Sequence, residues 1–260
     1  MAFNERVGEL AAWIVTRPAR RLFFDRRDVR EVDFPSEDGL RLRGWLADVE
    51  HARGTVVLGH GYRDDRRQLY ALVPALAALS LRALLIDFRA HGRSAGRHIT
   101  IGVEESRDVR ASLAWASQLG GPVSYLGFSM GAAAYLLSGQ EARSAVIDSP
   151  YDTLDEAIAV RGRFVGAPSR WVDAFRRAKE QRTAVRIEQI RPVEVVPRLA
   201  HPTLFLFARG DEWIGAEVRA RYRAALSASC ELVEVEGRHN GHFDAGWIVR
   251  VARFFDKHAT

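Results

Sequence analysis

The sequence predicts an α/β fold built on a mostly parallel sheet, and two observations carry that prediction. From about residue 29 onward, short β-branched apolar runs alternate with stretches whose apolar residues recur at helical spacing. Strands joined by helical crossovers run parallel and need helices on both faces to bury them. The composition permits this: 260 residues, 47% hydrophobic and 27% charged, form a core without disulfide or metal staples.

The elements follow in order. Residues 29–34 and 40–49 read as two antiparallel strands around the turn Ser36-Glu37-Asp38-Gly39. A short buried strand at 55–58 precedes Leu69, Leu72, Val73, Leu76 and Leu79, which share one helix face. A strand at 82–87 leads to a helix over 103–119 that buries Val109, Leu113 and Ala116. Further strands are expected at 123–128, 145–147, 203–207 and 232–235, making eight in all. The last helix carries Trp247, Ile248, Val251, Phe254 and Phe255 on one face.

Two segments stand apart from this rhythm. Residues 152–192 hold helical pieces, eight arginines and two glycines but no strand pattern. An insertion of that length between strands is expected to be functional, most simply a helical lid. The N-terminal segment, residues 1–28, carries the helical stripe Val7, Leu10, Ala11, Ile14 and Val15, ended by Arg17-Pro18 and followed by Arg20, Arg21, Arg26 and Arg27. A helix packed on the body of the protein is the expectation, with peripheral membrane contact through residues 1–27 as the alternative. The core is thus expected in 29–151 and 193–260.

Charge and cysteine content narrow the class. The formal charge is +5, made of 36 Arg and 2 Lys scattered among 33 acids. Without a basic stripe, interleaved aromatics or a reading motif, nucleic-acid binding is not expected. The longest apolar runs, such as 132–137, fall far short of the ~20 residues a bilayer span requires. Cys230 is the single cysteine and cannot form an internal disulfide, and no signal peptide is recognisable, so a cytoplasmic protein is expected.

The chemistry begins at Gly127-Phe128-Ser129-Met130-Gly131, which fits G-x-S-x-G between an apolar strand and a small-residue helix. A nucleophile standing proud of a sheet needs a sharp strand-to-helix turn, and glycines on both sides leave room for it. Acyl transfer also requires two preorganised amides for the developing oxyanion. The amide of Met130 supplies one. The loop His60-Gly61-Tyr62, after the strand at 55–58, offers the Tyr62 amide as the other, with the His60 side chain in a structural role.

Together with Asp87-Phe88-Arg89-Ala90-His91-Gly92-Arg93-Ser94, these motifs resemble those of the α/β-hydrolases. That family's turn reads D-x-R-G-H-G-x-S, so Ala90 stands where relatives have Gly. The resemblance covers about residues 29–258 and is nearest to lysophospholipase-like and serine-aminopeptidase-like hydrolases with small lids. It implies a mostly parallel eight-stranded sheet, helices on both faces and a short helical lid. It also implies the chain order Ser, acid, His.

For the acid, Asp211 in Arg209-Gly210-Asp211-Glu212-Trp213-Ile214 resembles the family's turn, with Ile214 at its apolar position. Glu212 and Asp148 are rivals. For the base, Gly237 and Asn240 flank His239 as in relatives, while His242 lies where the last helix begins. His239 is therefore preferred over His242. His239, His242 and Asp244 could be read as metal ligands, but Gly241 lies between the histidines and no distant cluster completes a site, so no metal and no cofactor are expected. Asp87, Arg89 and His91 are expected to tie down the turn beneath the site.

The expected activity is hydrolysis of a carboxylic ester of a small-molecule acyl substrate, with Ser129, Asp211 and His239 as the catalytic residues. A thioesterase or peptidase on the same residues, or a catalytically silent ligand-binding protein, are the alternatives. Trp171 and Phe175 of the insertion are expected to bind substrate, with packing of the lid onto the body as the alternative.

Overall fold

Eight strands form one sheet in the order β1-β2-β4-β3-β5-β6-β7-β8. They are β1 (Arg30–Pro35), β2 (Arg41–Ala47), β3 (Gly54–Gly59), β4 (Leu81–Asp87), β5 (Val123–Phe128), β6 (Ala145–Asp148), β7 (Thr203–Ala208) and β8 (Cys230–Val235). The computed structural model describes residues 2–20, 26 and 28–259. β1 pairs with β2, and β2 with β4, antiparallel; every other pairing is parallel. This is the α/β-hydrolase fold that the sequence predicts.

Alternate side chains of the central strands enter two separate cores. In β3, Val57 joins the face covered by α3 (Glu105–Ser117) and α4 (Met130–Ser138). Its neighbours Val56 and Leu58 join the opposite face with α2 (Val73–Ala78) and α8 (Ala245–His258). Both faces are covered, so β3 and β7 are buried along their whole length and show no polar alternation. All the functional loops therefore leave the same edge of the sheet, at the carboxyl ends of the parallel strands.

Where the elements differ from expectation, the cause is local. The apolar stripe at 69–79 is split into a 3-10 turn (Tyr70–Leu72) and the short α2. Pro74 lacks the amide that would close an α-turn onto the Tyr70 carbonyl, so the tighter turn precedes it. A helix that the sequence reading omitted, α7 (Ala216–Ala225), is anchored by only two buried apolar residues, Val218 and Tyr222. They lie one turn apart among exposed arginines and alanines, too few to register as a stripe.

The insertion folds as α5 (Leu154–Phe164) and α6 (Ser169–Thr183), followed by 3-10 turns. The N-terminal helix, α1 (Ala2–Thr16), packs chiefly on α6 rather than on the sheet. Its following strand-like residue Ala19 bridges to His91 at the turn after β4. Arg21 and Arg27 lie outside the described residues. Among the described residues no helix is long and apolar enough to cross a membrane.

The helices α1 and α6 meet at Gly8, where a Cβ would lie 2.6 Å from the Ala174 carbonyl oxygen. Gly8→Val is expected to lower stability by about 1–3 kcal/mol through overpacking. Gly215→Ala, where a Cβ meets open space, is expected to change it by less than about 0.5 kcal/mol. Urea unfolding of both variants checks this; equal stabilities would mean that the two helices do not meet as closely.

Candidate active site

The sharpest backbone feature of the site is Ser129, the single residue between the end of β5 and the start of α4. Its φ of 50° and ψ of −107° lie in a region that L residues rarely adopt. Two close approaches enforce this turn. A Cβ on Gly127 would come 2.6 Å from the Ala132 amide nitrogen, and one on Gly131 would come 2.7 Å from the His60 carbonyl oxygen. The turn is also pinned from the neighbouring strand, since the Ser129 amide donates to the Asp148 carbonyl at 2.8 Å.

The hydroxyl so presented meets an imidazole. His239 Nε2 lies 3.0 Å from Ser129 Oγ, and His239 Nδ1 lies 2.7 Å from Asp211 Oδ2. A carboxylate can only accept, so Nδ1 carries the proton and the Nε2 lone pair faces the serine hydroxyl. Asp211 is itself held in place: its Oδ1 accepts from the amides of Trp213 (2.8 Å) and Ile214 (2.9 Å). Burial alone would raise the Asp211 pKa, but the hydrogen bond and charge of His239 and those two amides hold it below the usual carboxylate value. The Phe128 ring, 4.9 Å from the His239 ring, backs the imidazole.

The rival acids and the rival histidine have other work. Glu212 Oε2 accepts from the His239 amide at 3.4 Å, steadying the loop rather than the ring. Asp148 binds His242: Nε2 lies 2.9 and 3.0 Å from its two oxygens, while Nδ1 lies 2.9 Å from the Arg238 carbonyl oxygen. Both ring nitrogens thus face acceptors, an arrangement that suits the imidazolium. Burial opposes that charge, but the hydrogen bond and charge of Asp148, the Arg238 carbonyl and the charge of Asp211 together outweigh it, and the His242 pKa is raised. The Trp247 indole N–H donates to the same carboxylate at 2.7 Å, so α8, β6 and the His239 loop are tied at one point. Asp244 caps α8 by accepting from the Trp247 amide at 2.8 Å. His239, His242 and Asp244 therefore serve three different partners. Among the described residues no group of three His, Cys, Asp or Glu side chains gathers in a way that could hold a metal ion.

Two amides beside the cleft lack a partner, one next to Ser129 in sequence and one on the cleft wall. The Met130 and Tyr62 N–H groups have no acceptor among the described residues, as the first amide of a helix and a loop amide. The Tyr62 loop is fixed through its neighbours. The Gly61 amide donates to Gln68 Oε1 at 2.7 Å, and Gln68 Nε2 donates to Asn240 Oδ1 at 3.3 Å, linking this loop to the one bearing His239. The Tyr62 hydroxyl donates to the Val15 carbonyl at 2.7 Å, so α1 closes over the loop. His60 pairs with backbone on both sides: Nδ1 lies 2.7 Å from the Gly61 oxygen, and Nε2 accepts from the Phe88 amide at 3.1 Å.

Beneath the loops, the turn after β4 is saturated with ties. Asp87 accepts from the amides of Arg66 and Arg93, each at 2.9 Å. Arg89 spans Asp108, Asp38 and Glu104, and His91 Nε2 accepts from the Arg63 amide at 3.2 Å. Burial pushes the Asp87 and Asp108 pKa values up to about 6, although their arginine partners oppose it.

The cleft over Ser129 and His239 has a volume of about 240 Å³ and is walled by Gly61, Tyr62, Gln68, Arg161, Trp213 and Asn240, among others. Trp171 and Phe175 are not in it. They line a separate apolar cavity of about 400 Å³ between α1 and the insertion, and Arg161 lines both spaces. The Trp171 indole also donates to Asn4 Oδ1 at 3.1 Å, a tie to α1. Arg161, Trp213, Gln68 and Asn240 were not singled out as site walls from sequence. Trp213 could have been, by its place two residues after Asp211; Arg161 is hidden among the eight arginines of the insertion.

Comparisons with known proteins agree with the fold. Residues 50–151 match the family described as serine aminopeptidase, S33. That stretch contains the Tyr62 loop, the turn after β4, the Ser129 elbow and Asp148. The uncharacterized protein YqkD of Bacillus subtilis is 24% identical over 204 residues, covering 74% of this chain and 66% of that protein, just under two thirds of its length. The Pyrococcus furiosus esterase Pf2001 superposes with a TM-score of 0.77 at 23% identity, covering 95% of this chain and 99% of that one. Est1E of Butyrivibrio proteoclasticus, solved with ferulic acid bound, gives 0.68 at 17% identity over 86% of this chain and 97% of its own. The chain is an α/β-hydrolase by fold, and within that fold it is similar to the serine-aminopeptidase branch.

The buried His242–Asp148 pair generates a prediction. A raised pKa in the folded state means that the pair's stabilisation is complete below the unfolded value of about 6.5 and is lost as pH rises through the folded value. The gap in melting temperature between the wild type and His242→Gln should therefore shrink between about pH 6 and pH 9. His242→Gln should keep a measurable fraction of activity, and His239→Gln almost none. A gap that widens with pH, or the reverse activity ranking, would contradict the assignment.

Proposed function

We propose that this protein is a serine hydrolase that cleaves carboxylic esters through a Ser129–His239–Asp211 triad. The observation that carries this reading is the hydrogen-bonded chain from Asp211 through His239 to Ser129 Oγ at the floor of a cleft. Ser129 Oγ attacks the ester carbonyl as its proton passes to His239 Nε2. Negative charge collects on the carbonyl oxygen, where the Met130 and Tyr62 amides receive it. The C–O bond to the alcohol breaks, and the alcohol leaves with the proton from His239. Water then attacks the acyl-serine, again giving its proton to Nε2, and the acid departs as Ser129 is restored. Asp211 keeps Nδ1 protonated and steadies the imidazolium formed at each step.

No cofactor enters this sequence. The esterases among the similar structures favour an oxygen ester. The aminopeptidase description of the matched family supports amide hydrolysis on the same residues as the second reading. The cleft of about 240 Å³ takes the ester group and its nearest atoms. The cavity lined by Trp171 and Phe175 would accept a hydrocarbon chain running beyond Arg161.

A panel of 4-nitrophenyl esters of increasing acyl length, with an aminoacyl anilide and a thioester, tests the proposal. The esters should turn over fastest, and Ser129→Ala should lose at least about 10⁴-fold in kcat. Trp171→Ala and Phe175→Ala should shift the chain-length preference with Ser129 still active. Activity that survives in Ser129→Ala would overturn the mechanism, and a faster anilide would move the substrate class to amides.

A further inference from the structure

The two fully buried arginines among the described residues are matched by carboxylates. Arg66 pairs with Glu31 and Asp87, and Arg89 with Asp108, Asp38 and Glu104. In the insertion, the half-buried Arg176 pairs with Asp155 and Asp173. Arg161 departs from this pattern. It is half-buried in the wall of the cleft over Ser129, and no carboxylate among the described residues lies within ion-pair distance of it.

Its contacts use little of its hydrogen-bonding capacity. Nη1 donates to the Ala157 carbonyl at 3.3 Å, and the guanidinium lies 4.9 Å from the centre of the Trp213 ring. Nε and Nη2 have no acceptor among the described residues. The acidic groups whose charge reaches it are the Asp211 carboxylate, already committed to His239, and the Tyr62 and Tyr151 phenols. Asp64, also on the cleft wall, accepts from the Asp65 amide at 3.0 Å. Burial lowers the Arg161 pKa, as expected for a cation that lacks a counter-ion. A desolvated guanidinium without a carboxylate is costly to keep, whereas a planar fork with free donors matches a carboxylate or phosphate.

We propose that Arg161 is the anion receptor of this cleft, so that the preferred ester carries a carboxylate or phosphate a few atoms from the bond that is cleaved. This rests on the ester-hydrolase reading above and narrows it to acidic substrates. Arg161 touches the substrate but takes no part in proton transfer. Its loss should therefore affect acidic esters and spare neutral ones.

The test compares matched esters on the full chain. For an anion on the acyl side, the pair is 4-nitrophenyl hemiglutarate and 4-nitrophenyl valerate. For an anion on the alcohol side, it is 4-carboxyphenyl valerate and phenyl valerate. In Arg161→Met, kcat/KM for the acidic member of one pair should fall about 10- to 100-fold, while both neutral esters change less than about threefold. Arg161→Lys should recover part of the loss, and the pair that responds tells which side of the ester bears the anion. Fluorophosphonate labelling of Ser129 should persist in both variants. Equal falls for acidic and neutral esters, or no change in either pair, with labelling retained, would overturn the anion receptor alone. A wild type that neither labels nor hydrolyses any ester would overturn the hydrolase reading, and this inference with it.

Discussion

The backbone of Ser129 is the constraint on which the rest of the site depends. A serine at φ 50° and ψ −107° is strained, at a cost of order 1–3 kcal/mol, and the surrounding structure must over-determine it. β5 is central and fully paired, α4 begins at the very next residue, and Gly127 and Gly131 permit contacts that no side chain could share. The Asp148 carbonyl holds the Ser129 amide from the neighbouring strand. With the elbow fixed, the hydroxyl, the Met130 amide and the imidazole can meet without any of them choosing among conformations. Preorganisation of this kind is what lowers a barrier, since nothing has to be ordered at the moment of reaction.

Loops are the weak point of such a design, because each group of the proposed triad outside the elbow sits on one. The structure answers with polar ties. The buried His242–Asp148 pair fastens the His239 loop to β6 and α8, and at the surface Gln68 joins the Tyr62 loop to Asn240. Asp87 and Arg89 fasten the turn beneath. The buried groups lie in low dielectric, where a partnerless polar atom is expensive, so those ties are firm only while both partners are present. The insertion follows the same logic on its outer side. Lys179 of α6 is fully buried near Glu105, and burial lowers its pKa to about 8.

Much of this was legible from residues alone, for identifiable reasons. The strands of the sheet were readable because continuous β-branched runs such as Thr55-Val56-Val57-Leu58 have few other uses. Ser129 was readable because its turn demands glycines at fixed spacing, and Asp211 and His239 because chain order and nearby Gly, Ile and Asn constrain them. Residues whose role is set by long-range packing were not. The tie between Asp148 and His242 joins positions 94 apart, and nothing in the local pattern of either announces the other. Whether Trp171 and Phe175 line an acyl site or pack the lid is not legible from sequence, because the direction of a helix face is fixed by its partner. That partner, α1, turns them towards a second cavity. Arg161 was invisible for the opposite reason, being one arginine among many and distinguished only by the acid it lacks.

The central claim is that Ser129 is the nucleophile because the elbow and the His239–Asp211 pair activate it and no other hydroxyl. Treating the folded protein with a fluorophosphonate and mapping the modified peptide by mass spectrometry tests this most directly. The account predicts one phosphonyl group per chain, located on Ser129, with loss of ester hydrolysis in proportion to labelling and no adduct in Ser129→Ala. An adduct on another residue, or full labelling of the alanine variant, would contradict it.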